Sequence, residues 1–183
     1  MIKKVIFSII ILALIGGGFF YWQNNQADVR ELNKTLPEKV KVVKSLFGDE
    51  YKVVNGIDGY EFKIPPEWQG IKEIEYIPER EVEGYRVASV GLGSKSEDIF
   101  SIDLYFVQQD IDLTQWADKL FQKFGLEGVF DTDSINNFKV VKTIEKKYLG
   151  GTYVYFLESN SKIYVFNSSS EEFIQYIISH GKW

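Results

Sequence analysis

An antiparallel sheet with helices packed against it, the α+β class, preceded by one N-terminal transmembrane helix, is the architecture the sequence predicts. Three observations carry that prediction. A long uncharged apolar run opens the chain; most of the remainder falls into strand-length stretches rich in branched and aromatic residues; and two later stretches have helical apolar spacing with capping residues. The resulting organisation is a signal anchor and spacer over residues 1–26, a helical linker over 27–48 and an α+β domain over 49–183.

Composition narrows the functional classes. The chain has 183 residues, 45% hydrophobic and 16% aromatic, so one domain of ordinary size with ample apolar area is expected. It has no cysteine, which removes disulfides, thiolate metal sites and cysteine nucleophiles. With His180 as the single histidine, multi-histidine metal sites fall away as well. The formal charge is −5, and −7 once Lys3 and Lys4 are set aside, a balance that argues against nucleic acid and anionic lipid surfaces.

Residues 5–22 (VIFSIIILALIGGGFFYW) carry no charge. As a helix such a run extends ~27 Å, close to the hydrocarbon thickness of a bilayer. Lys3 and Lys4 place the N-terminus in the cytoplasm and send the domain across, while Phe19, Phe20, Tyr21 and Trp22 read as an interfacial aromatic belt. The segment therefore predicts a single-pass membrane anchor with the bilayer as partner through residues 5–22. A cleaved secretory signal, with Gly16 to Gly18 as the small-residue site, is the alternative, and it exports the domain too.

After the QNNQ spacer, Val29, Leu32 and Leu36 have helical spacing. Pro37 suits the first turn of a second helix ending at Gly48, with Val40, Val43 and Phe47 on one side; the alternation in KVKVV permits a strand instead. YKVVNGI and YEFKI flank Asp58-Gly59 as a hairpin, and Pro65-Pro66 closes it. Further strands are expected at 71–77, with a bulge or partial strand because Ile71, Ile74 and Tyr76 do not alternate cleanly, and at 84–93 and 99–107, the last central in character. DLTQWADKLFQKF (112–124) is the clearest helix, capped by Asp112 or Thr114, with Leu113, Trp116, Leu120 and Phe124 on one face and Gly125 as its stop. An acidic connector, DTDSINN, leads to a three-strand meander over FKVVKTIEKKYL, TYVYFLE and KIYVFN. SEEFIQYIIS is the last helix, with Phe173, Tyr176 and Ile177 inward.

The segment Gly59-Tyr60-Glu61-Phe62-Lys63-Ile64-Pro65-Pro66-Glu67-Trp68 resembles the opening of PsbP-like domains. The helix DLTQWADKL, the glycine-led hairpin GGTYVYFLES and the closing EEFIQYIIS match the family in order, so the resemblance covers roughly residues 50–183. It implies the Mog1/PsbP α/β/α sandwich, a central antiparallel sheet flanked by helices, and a non-enzymatic accessory role. The photosystem and GTPase roles of family members do not transfer to an exported domain without a thylakoid targeting peptide.

Candidate sites are few. Trp68 and Tyr60 are the candidates for a ligand or partner contact, with edge packing the competing reading for Trp68; Trp116 is expected in the core. Asp131 and Asp133 match two positions of a calcium loop, but Ile135 stands where the next oxygen ligand belongs, and a solvated acidic loop is expected. Glu79 to Glu83 reads as a charged surface turn. The acid pairs Asp110 with Asp112 and Glu73 with Glu75 offer two carboxylates of the kind a glycosidase needs, without a sign that either faces a cleft. Gly91-Leu92-Gly93 lacks the rest of a dinucleotide fingerprint, and His180 falls in a stretch expected to fray. No catalytic residue, metal or cofactor is called for. The expectation is a membrane-anchored, extracytoplasmic, non-enzymatic module that binds a protein partner, with a small-molecule or glycan-binding module as the alternative and a hydrolase behind both.

Overall fold

The computed structural model describes residues 26–45, 50–66, 71–93, 99–107, 111–144 and 151–183. The anchor with Lys3, Lys4, Phe19, Phe20, Tyr21 and Trp22 lies outside those residues, as do Phe47, Trp68 and Asp110. Among the described residues no helix is long and apolar enough to cross a membrane.

In chain order the elements are α1 (Ala27–Leu32), a 3-10 turn (Asn33–Thr35), β1 (Val40–Lys44), β2 (Tyr51–Asn55), β3 (Tyr60–Ile64), β4 (Glu73–Val82), β5 (Tyr85–Gly93), β6 (Ile99–Phe106), α2 (Leu113–Lys123), β7 (Phe130–Ile135), β8 (Phe138–Thr143), β9 (Tyr153–Ser159), β10 (Lys162–Ser168) and α3 (Glu171–Ser179). They form two antiparallel sheets: three strands in the order β1-β2-β3, and seven in the order β4-β5-β6-β10-β9-β8-β7. The large sheet is two meanders joined where β10 pairs with β6, and α2 carries the chain from the middle of the sheet to its far edge at β7.

This corrects the predicted fold class. The protein is mostly β, with short helices, and is not a helix-flanked α/β/α sandwich. Two misread segments account for the difference. The stretch read as a helical linker contains β1: Val40 and Val42 turn into the core while Lys41 and Val43 face out, so the period-two alternation of KVKVV prevails over the helix signalled by Pro37. The side chain of Asn33 serves the outer edge of this strand, donating from Nδ2 to the Val42 carbonyl (2.9 Å) and accepting the Val42 N–H (2.7 Å). Likewise DTDSINN is no connector; it lies in β7, which pairs with β8 through a turn at Asn136. The layer facing the large sheet is therefore partly a second sheet.

Alternation gives the large sheet two apolar faces. One packs on β1–β3, α1 and α3, through Val90, Ile102, Leu104, Tyr155, Tyr164 and Phe166 against Val53, Phe62, Phe173 and Ile177. On the opposite face Val87, Tyr105, Val141, Phe156, Ile163 and Val165 meet Leu113, Trp116, Ala117, Leu120 and Phe121 of α2. Asp112 caps α2, accepting the Gln115 N–H at 2.9 Å, and Ser170 caps α3 by accepting from Phe173 at 3.2 Å. Phe124, expected on the inner face of α2, is 47% exposed, and Phe121 takes the buried place.

Of three further expectations, two change and one holds. The strand begun at Ile71 starts at Glu73 and runs on through Glu79–Val82, with its bulge between Ile77 and Arg80, so the charged run is mostly strand and only Glu83-Gly84 turns. The Asp58-Gly59 hairpin forms, with Gly59 at φ +82°. The segment around His180 does not fray. Lys182 bridges backbone to backbone with Glu61, and Trp183, 8% exposed, stacks on Tyr60 and Phe62 while its Nε1 donates to the Ile178 carbonyl at 3.1 Å.

Candidate functional site

The strand FSIDLYF alternates, so Phe100, Ile102 and Leu104 face the β1–β3 layer while Ser101, Asp103 and Tyr105 face the α2 side. Tyr105 packs against Trp116 of α2. Past the C-terminal half of that helix the same sheet face changes character. Register places Ser89 and Val165 beside Asp103, and Gly91 and Asn167 beside Ser101. Four polar side chains thus sit on β5, β6 and β10, the central strands, where branched apolar residues pack best.

Their hydrogen bonds form one network. The Ser89 hydroxyl donates to Asp103 Oδ1 at 2.6 Å. Asn167 Nδ2 is shared between Ser101 Oγ at 3.3 Å and Asp103 Oδ2 at 3.5 Å. Ser89 and Asn167 are 6% and 7% exposed, and the Asn167 Oδ1 is buried without a hydrogen-bond partner among the described residues. Burial pushes the Asp103 carboxyl above its ordinary range, while the Ser89 hydrogen bond and the charge of Arg80 pull it partly back. Leaving a buried polar atom unpaired costs roughly 1–3 kcal/mol, so an arrangement of this kind at the centre of a sheet calls for an explanation other than stability.

The network forms the polar end of a pocket of about 360 Å³. Leu120 and Phe121 of α2, Phe124 and Leu126 after it, and Val154 and Val165 of the sheet make its apolar walls; Asp103, Tyr105 and Asn167 complete it. A Cβ built on Gly91, which pairs with Ser101, would meet no described heavy atom within 4 Å. Apolar walls with a few convergent polar groups are the usual make-up of a small-ligand site, and this volume lies in the lower part of the range of roughly 300 to 1,000 Å³ that such sites span.

The residues singled out from the sequence lie elsewhere. Tyr60 is 3% exposed, wedged among Phe62, Tyr164 and Trp183, so its ring is not available to a ligand. Trp116 is in the core as expected. Asp131 and Asp133 lie on β7, where Asp133 pairs with Lys142 at 3.1 Å, and no group of metal-ligating side chains occurs among the described residues. Glu79 pairs with Arg86 at 2.6 Å. Glu73 and Glu75 are exposed on β4 and line a broad hollow against α1 with Asp28 and Glu31, where the carboxylates remain solvated. His180 stacks on Tyr176, its Nδ1 within hydrogen-bond distance of the Tyr176 carbonyl and the Ser179 hydroxyl. Gly91-Leu92-Gly93 is the C-terminal end of β5 rather than a phosphate loop.

Two other polar clusters are structural. Asn55 accepts the N–H groups of Ile57 and Asp58 and donates to Asp58 Oδ2 at 2.7 Å, and Lys162 donates to the Asp58 carbonyl, which together fix the β2–β3 turn. Burial and the Asp58 charge raise Tyr76 and Tyr164 to about 12. At the other end, Lys142 joins Asp133 to Glu171, and the Tyr155 hydroxyl donates to Glu171.

A mostly β domain of two antiparallel sheets, with one desolvated polar pocket beneath a helix, is the class of protein these features define. No family model matches the chain, and neither the curated proteins nor the solved structures contain a match, so the comparisons neither support nor refute the PsbP resemblance.

Proposed function

We propose that this chain is a membrane-tethered, extracytoplasmic binding module without chemistry of its own, and that it takes a small ligand in the pocket beneath α2. The single observation that carries the reading is the buried Ser89–Asp103–Asn167 network with its unpartnered amide oxygen at the end of an apolar cavity. Asp103 has a serine and an amide as its hydrogen-bond partners, neither of which titrates near neutral pH, and burial pushes the Tyr105 hydroxyl of the same pocket up, so among the described residues nothing pairs with Asp103 for general acid–base catalysis. A glycan platform is the weaker version of the binding idea, because Trp116, Tyr155 and Tyr164 are buried and cannot stack on a sugar. Docking of a protein by strand addition is disfavoured at the β4 edge, where Pro78, a bulge and the charges of Glu79, Arg80 and Glu81 blunt the strand. The tether rests on the apolar run 5–22 and its lysine flank.

Two measurements test the two halves. The full-length chain should stay with membranes through an alkaline carbonate wash; release into the supernatant overturns the tether. A fragment screen by amide chemical shifts should find binders that move the signals around Asp103 and that Leu126→Trp, which narrows the pocket mouth, weakens. Fragments that bind both proteins equally overturn the pocket.

A further inference from the structure

Resting on that reading of the pocket, we infer that its ligand is a small organic ammonium, a protonated amine carried on an apolar or aromatic body. The argument is one of donors and acceptors. Within the network the Ser89 hydroxyl donates to Asp103 Oδ1 and Asn167 Nδ2 to Ser101 and Asp103, while the Ser101 hydroxyl keeps a donor of its own. The acceptors are the less satisfied side. Asp103 Oδ2 receives one long contact of 3.5 Å, and Asn167 Oδ1 receives none among the described residues. An entering group therefore meets the Asp103 carboxylate, with the Asn167 carbonyl oxygen buried on the neighbouring strand, and what complements this pair of acceptors is a cationic donor with several hydrogens, which an ammonium supplies.

The walls fit the same chemistry. Tyr105, Phe121 and Phe124 offer aromatic rings, and aromatic faces attract a desolvated cation as well as packing against an apolar body. A carboxylate ligand is disfavoured, since it would bring a second negative charge to the buried Asp103. Arg80, on the adjacent edge of the sheet, acts on Asp103 through its charge and works against a bound cation. The absence of metal-ligating clusters among the described residues agrees with an organic rather than an inorganic cation.

The experiment titrates the full-length chain in detergent micelles with three probes of one shape: phenethylammonium, 2-phenylethanol and 3-phenylpropanoate, followed by the amide signals of Ser101, Asp103 and Asn167. Phenethylammonium should bind about tenfold tighter than the alcohol, the size expected for a hydrogen bond to a charged partner. Asp103→Asn should remove that preference, and Arg80→Gln should tighten the ammonium. The dispersion of the amide spectra reports folding of both variants. Equal or tighter binding of the alcohol or the carboxylate overturns the ammonium assignment and leaves the binding module standing. So does silence from all three probes if the fragment screen still yields binders sensitive to Leu126→Trp. Silence in both experiments overturns the assignment and the pocket together.

Discussion

Asp103 is held where water would have solvated it, and its neighbours only partly replace that solvation. A carboxyl raised by burial favours its protonated form in the folded state, so its contribution to stability is greatest below the ordinary carboxyl value of 3.8 and is lost as pH rises through the folded value. Asp103→Asn keeps the shape and the acceptor for Ser89 but carries no charge. It should raise Tm at pH 7, and the gap to the parent should close as pH falls below about 4. A parent more stable than the variant at neutral pH means that the site is not desolvated as described. Trp183 illustrates the opposite kind of residue, one whose worth is packing. Trp183→Ala removes a ring stacked on Tyr60 and Phe62 and should cost about 3–5 kcal/mol in urea unfolding. The two differ in how far the sequence shows them. Ser101 and Asp103 alternate with Phe100, Ile102 and Leu104, so the polar face of a central strand is written in FSIDLYF. Richness in apolar residues conceals it unless one asks which way each side chain points. Trp183 carries no such signal, because burial by long-range contact has no local pattern.

At the scale of elements, reading succeeds where one signal dominates. Helix α2 combines apolar spacing, the Asp112 cap and a glycine stop, and all three agree. Asp112→Ala should destabilise the protein by about 1 kcal/mol, observable as a lower urea midpoint at unchanged slope. The β2–β3 hairpin is as clear, since Asp58-Gly59 supplies the positive φ that its turn needs. Reading fails where tertiary pairing outvotes a local cue. Pro37 signals a helix start, but the partner strand β2 and the clamp of Asn33 stabilise the extended form of 40–44. In DTDSINN the acids suggest a loop, whereas the strand is held by pairing with β8 and by Lys142 beneath Asp133. Edge strands invite such errors because they tolerate charge. The charge on β4 has its own purpose: replacing Pro78, Glu79 and Glu81 together by valine should give concentration-dependent aggregation by light scattering with little change in Tm at dilution.

On the scale of the whole molecule, the chain folds its central sheet between unequal layers. Strands β1–β3 with α3 cover one face, while α2 covers only part of the other and leaves the pocket beside it. Acid should loosen this assembly. Burial works against ionised Asp28, but hydrogen bonds from Tyr51 and the Val29 amide prevail, so its carboxyl is lowered; that of Asp133 is lowered by the Ser134 amide and Lys142. Their contribution is present above the ordinary carboxyl range and is lost as pH falls through the folded values, opposite in sign to that of Asp103. A pH titration of Tm should therefore rise from acid toward neutral, and more steeply in Asp103→Asn than in the parent.

The seat of Trp183 between β3 and β10 also sets a timetable. The indole touches strands far from it in the chain, so hairpins can pair on their own while the gap between the layers stays unplugged until this side chain docks. Until that moment the two layers are loosely joined, and afterwards they are locked.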